Sequence, residues 1–175
     1  MPVTINSNGT FAGINNYNFQ GSKKDNTIIQ TVQRMGTACY STTSTSFVEM
    51  SSDLRVTLPS VNASNSQVYI ELVTKYRNAA HPAAKTKQYR PAYSTDGGGS
   101  FTNLNSHSIH FNTTADDHFN VAFTNLVNAD GEAMSLSDGI IFSPLFKTSD
   151  ASYSIQLGGC ALGSTTTFRV IEILV

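Results

Sequence analysis

Four histidines are the first residues in this chain that could do chemistry, and two of them stand together in His107-Ser108-Ile109-His110. A pair of imidazoles is half of a zinc site. Residues three apart on a strand point to opposite faces, however, so this pair could close on one ion only from a loop. Asp116-Asp117-His118 offers carboxylates to a hard cation. Ca²⁺ takes about six to eight oxygens and the spacing fits no calcium loop, so an exposed turn is expected there. Glu49, Glu71 and Glu172 lie within strand-like runs, where a carboxylate pair could act as acid and base. They read better as solvated or interface groups. Tyr40, Tyr69, Tyr76, Tyr89 and Tyr93 have faces that could stack on sugars, although aromatic residues at strand positions more often pack. The sequence contains no G-x-S-x-G elbow, Walker loop, H-E-x-x-H pair or dinucleotide fingerprint, and Gly97-Gly98-Gly99 lacks the strand-to-helix setting that cradles phosphate. The expectation is a protein that is not an enzyme, with no catalytic residues, no metal and no cofactor.

Cys39 and Cys160 are the only cysteines. They are far apart and outside any C-x-x-C pattern, so two free thiols are expected in preference to a bridge. Charged residues make up 13% of the chain, the net charge is -1, and Lys and Arg are scattered. That balance argues against nucleic acid or an anionic membrane surface as partner. The start, Met1-Pro2-Val3-Thr4-Ile5-Asn6, shows no basic or apolar run and no cleavage motif, and no stretch approaches the ~20 apolar residues of a membrane span. A soluble, non-exported protein is expected.

The elements that must position these groups are strands. Ser, Thr and Asn supply about a third of the chain, while Glu, Lys and Leu are sparse, which starves helices and favours turns. Residues 1–26 carry isolated apolar anchors at Val3, Ile5, Phe11, Ile14, Tyr17 and Phe19 among Asn, Gly and Ser. They form either an extended arm that lies in grooves on a partner or a disordered leader. From Thr27 to Val175 short apolar runs alternate with period two. Ile28 to Arg34 is the first strand, and a Ser/Thr connector over 41–46 leads to Phe47-Val48-Glu49-Met50. Leu54, Val56 and Leu58 share one face before Pro59 closes the run. The strongest strand, Gln67 to Lys75, sets Val68, Ile70 and Leu72 toward a core.

Residues 76–118 read as loop-rich, with a strand over 86–93 interrupted by Pro91 and a flexible Asp96-Gly97-Gly98-Gly99-Ser100. Later strands fall at 118–128, 139–146, 153–157 and 168–175. This count and spacing predict an all-β fold: a single jelly-roll or Greek-key sandwich over 27–175, behind the N-terminal arm. The last strand is apolar on both faces. One face must meet the core and the other a second subunit, so a homo-oligomer through Val170, Ile171, Ile173 and Leu174 is expected.

Several segments carry a likeness in their order: Ile28-Ile29-Gln30-Thr31-Val32-Gln33; Phe47-Val48-Glu49-Met50; Leu54-Arg55-Val56-Thr57-Leu58-Pro59; and Val68-Tyr69-Ile70-Glu71-Leu72-Val73. Ile141-Phe142-Ser143-Pro144-Leu145, Tyr153-Ser154-Ile155-Gln156-Leu157 and Phe168-Arg169-Val170-Ile171-Glu172-Ile173 follow. Together they resemble small virion proteins of tailed phages, especially marine and cyanobacterial ones, whose jelly roll is related in shape to the C1q and tumour-necrosis-factor domains. The resemblance implies a homotrimer acting as a capsid decoration (cement) protein or as a fibre head. It also implies a major capsid protein or another virion protein as partner, and a virion assembled in the host cytoplasm. Residues 76–118 depart from the pattern. The alternatives are a receptor-binding head that contacts host-surface carbohydrate, and an enzyme on a jelly-roll scaffold.

Overall fold

In a strand, alternate side chains point to opposite faces, so each alternating run can bury one face and leave the other to water. The computed structural model describes residues 28–59, 66–78, 85–104, 107–111, 117–128, 139–160 and 163–174. The arm expected over 1–26, with all six of its anchors, lies outside the described residues.

Among the described residues twelve strands follow in chain order: β1 (Ile28–Gly36), β2 (Cys39–Thr42), β3 (Val48–Glu49), β4 (Val56–Leu58), β5 (Ser66–Asn78), β6 (Lys85–Ser94), β7 (Thr102–Asn103), β8 (His107–Phe111), β9 (Asp117–Asn128), β10 (Ile140–Thr148), β11 (Ile155–Gly158) and β12 (Thr166–Leu174). Among the described residues the only helical piece is a 3-10 turn at Ser52–Leu54. The long strands pair in nested order and always antiparallel: β1 with β12, β4 with β10, β5 with β9, and β6 with β8. That nesting is one long hairpin rolled on itself, the jelly roll expected from the strand count.

Two sheets result. The first runs β1-β12-β5-β9, and the second runs β4-β10-β6-β8, with β3 beside β10 and β7 beside β6. The β2–β11 pair extends the first sheet at the far end of β5. Leu54, Val56, Leu58, Val68, Ile70 and Leu72 are all buried between the sheets, as their alternation requires. Phe142, Phe146 and Phe168 fill the middle, each contributing about 2 to 3 kcal/mol by leaving water.

Several expectations are corrected. The terminal strand β12 lies between β1 and β5, so its edges are already paired. Val170 and Leu174 face the interior, while Ile171 and Ile173 are half-buried on the outer face. Glu172 is interior too, at 1% exposure, where it accepts hydrogen bonds from Gln30 Nε2 (2.6 Å) and Ser66 Oγ (2.7 Å). The alternation of β12 requires this, since Glu172 falls on the Val170 face. Residues 76–118 hold β6, β7 and β8 in place of a loop-rich stretch, and Asp117 and His118 open β9 instead of an exposed turn. His107 and His110 both lie in β8.

Pro91 does not interrupt its strand, because it stands directly opposite Pro144 in the β6–β10 register. Two residues that face each other at a non-hydrogen-bonded position exchange no N–H···O bonds, so neither proline removes a donor from that pairing. Their carbonyls point outward instead: Leu104 N donates to Pro91 O (3.0 Å) and Met50 N to Pro144 O (2.9 Å). The missing donors fall on the sides of the two-residue strands β7 and β3.

The cysteines are also corrected: Cys39 and Cys160 form a disulfide. The β2–β11 register sets Cys39 opposite Gly158, two residues before Cys160. Gly158 adopts a positive φ of 68°. At Gly159 a Cβ would fall 2.2 Å from the carbonyl oxygen of Thr37, while its own N–H bonds Ala38 O (2.9 Å). Only glycine fits that close approach, and the turn it permits returns Cys160 to Cys39.

Candidate functional site

Residues of the outer face of the second sheet are covered in an unusual way. Ser143 and Leu145 point outward from β10, yet both are buried, with Ser143 bonded to the Glu49 carboxylate of β3. Glu49 sits directly opposite Leu145. Its carboxylate takes both Nε (2.7 Å) and Nη2 (2.8 Å) of Arg55 and the hydroxyl of Ser143 (2.7 Å). A two-point Arg–carboxylate pair of this kind fixes the guanidinium plane as well as its position. The hydrogen bonds from Arg55 hold the Glu49 carboxyl below the usual carboxylate range; burial works against them and the Ser143 bond adds to them.

Beside this pair opens a cleft of about 720 Å³ lined by Phe47, Glu49, Arg55, Phe101, Asn103 and Lys147, with Thr45 and Ser46 at its rim. Cations lie over the rings: the Arg55 guanidinium 5.3 Å from the Phe101 centroid, Arg90 4.2 Å from Phe47, and the Lys147 ammonium 4.8 Å from Phe47. Each such contact is worth about 0.5 to 1 kcal/mol where water reaches it. Arg55 and Glu49 neutralise each other, whereas among the described residues no carboxylate lies within 4.0 Å of Arg90 or Lys147.

The wall opposite Phe47 is the turn that was expected to be flexible. Asp96 closes it by accepting from the backbone N–H of Gly99 (2.9 Å) and Ser100 (3.0 Å) and from the hydroxyls of Ser94 (2.6 Å) and Ser100 (2.5 Å). These donors hold the Asp96 carboxyl far below its ordinary range, the Ser100 hydroxyl most of all. Gly98 stands at φ 89°, and a Cβ there would meet Arg55 Nη1 at 2.5 Å. Gly98→Ala is therefore expected to push Arg55 off Glu49 and destabilise the fold by about 1 to 3 kcal/mol. Urea unfolding of the variant checks the energy, and an unchanged midpoint would show that the turn yields freely.

Tyr40, Tyr76, Tyr89 and Tyr93 are buried and offer no face to a sugar; Tyr69 is half-exposed on the first sheet. Of the strand carboxylates, Glu49 lines the cleft, Glu71 pairs with Arg169 on the first sheet, and Glu172 is interior. Phe47, Arg55, Phe101, Asn103 and Lys147 carry no local motif. Three stretches distant in sequence supply them, 47–55, 101–103 and Lys147, and the Asp96 turn was the one local signal on this edge. Among the described residues no three His, Cys, Asp or Glu groups gather as a metal site would require. No protein-family model matches the chain, and no curated protein matches it in sequence.

Proposed function

We propose that this chain is a structural subunit of a bacteriophage particle, a non-enzymatic homotrimer that decorates and cements the capsid shell by binding the major capsid protein. The observation that carries this proposal is the outer face of the first sheet. Register places Ile171 between Thr31 and Tyr69, with Leu126 beyond Tyr69, and Ile173 beside Ile28. Ile28 is 60% exposed and Leu126 56%. The charged pair Arg169–Glu71 closes on itself within this face. An apolar surface whose central ion pair closes on itself suits a second copy of itself, because that pair need not be buried unmatched; Lys75, unpaired among the described residues, stands farther along β5 on the same face. The jelly-roll topology supports the same reading, since the resemblance in segment order implies it.

A second reading, a receptor-binding head that contacts host-surface carbohydrate, is favoured by the cleft on the opposite sheet. Copy number separates the two: a decoration protein occurs many times per capsid, a fibre head only at a few fibres. The oligomer is tested by light scattering. A trimer is expected for the native chain and a folded monomer for Ile171→Asp/Ile173→Asp, because each burial of an unpaired carboxylate costs several kcal/mol. A native chain that stays monomeric at about 100 μM would sink the trimer.

A further inference from the structure

We propose that the cleft between Phe47 and Phe101 binds an acidic saccharide, a sugar bearing a carboxylate, with Lys147 as the residue that meets the anionic group. This rests on the second reading above and adds to it a class of sugar and a location.

Three cations converge on this edge, and the two carboxylates near them are committed elsewhere. Glu49 is bound at two points by Arg55 and again by Ser143, and Asp96 is spent on the N–H and hydroxyl groups of its own turn. Arg90 and Lys147 are left with no carboxylate within 4.0 Å among the described residues, and Arg90 Nε is buried without an acceptor. Both cations rest against Phe47, which does not neutralise them, and of the two Lys147 lines the cleft itself. The cleft thus presents positive charge on a chain whose net charge is -1, and it selects an anion.

The rest of the lining chooses a saccharide over an acidic peptide. Thr45 and Ser46 hydroxyls and the Asn103 amide offer donors and acceptors side by side, as a polyol demands. Phe101 supplies an apolar face of the kind that packs on a pyranose ring. β10 and β6 are each paired on both sides, and the sheet edges beside the cleft are the two-residue strands β3 and β7, too short to template a peptide strand.

The test is calorimetric titration of the full chain with trigalacturonate, with neutral trigalactose and with triglutamate. Trigalacturonate should bind at least about tenfold more tightly than trigalactose, and the affinity should fall as salt rises, as a charge-assisted contact requires. Lys147→Gln should weaken the acidic sugar about tenfold and leave the neutral one unchanged. Asn103→Ala should weaken both. Equal binding of the two sugars would overturn the acidic assignment while leaving the glycan reading intact, and no binding of either would overturn both. Triglutamate that binds as tightly as trigalacturonate would overturn the choice of saccharide. An unchanged affinity in a Lys147→Gln variant with native thermal stability would overturn the location.

Discussion

Reduction of the Cys39–Cys160 bridge is expected to lower the unfolding free energy by about 4 kcal/mol and the melting temperature by about 10 °C. The two residues are separated by 121 positions. A cross-link over so long a span removes much of the conformational freedom of the unfolded chain, and the chain-entropy estimate for a loop of about 100 residues is about 4.7 kcal/mol. Locally the bridge closes one corner of the first sheet, where β2 has β11 as partner and β11 reaches β5 through only two residue pairs. Calorimetry with and without reductant, alongside Cys39→Ser/Cys160→Ser, measures the effect. If the double variant melts with the oxidised native chain, the strand pairing alone holds that corner. Disulfides persist in oxidising surroundings, so the bridge contributes this stabilisation only where the chain meets them.

The second large effect is expected at high pH. Burial pushes the Tyr76 hydroxyl up to about 12, and that of Tyr89, whose ring packs tilted against Phe123 at 4.7 Å, higher still. An unfolded tyrosine titrates near 10. Above that pH the unfolded chain gives up protons that the folded chain keeps, so the stabilisation is complete below about pH 10 and is lost as pH rises toward the folded value. Each tyrosine costs about 1.4 kcal/mol per pH unit in that window, so the pair should cost about 3 kcal/mol at pH 11 relative to pH 8. Urea midpoints across this range give the slope. Tyr76→Phe should make it shallower by about half, and an unaltered slope in that variant would assign the loss to other groups.

Strand identity was legible wherever the alternation was clean. Leu54, Val56 and Leu58, and Val68, Ile70 and Leu72, point inward as their spacing demands, because a two-residue period is a local property of extended backbone. Where a residue's meaning depended on its opposite number, the sequence was silent. Pro91 reads as a break until Pro144 is seen facing it. Glu172 reads as an interface carboxylate until Gln30 and Ser66 are seen to close around it. The tyrosines offered for sugar stacking are mostly core, and the aromatic rings at the cleft, Phe47 and Phe101, lie in segments with no motif.

The sequence by itself therefore determined the class of fold: composition suppressed helix, turn residues set strand length, and alternation chose the core face. Tertiary structure alone decided the disulfide, the inward turn of Val170 and Leu174, and the cluster of Arg55, Arg90 and Lys147 beside Glu49. The physical reason is range. Propensity and periodicity act over a few residues, whereas each of these features joins segments that meet only after the long hairpin has rolled up and set its register.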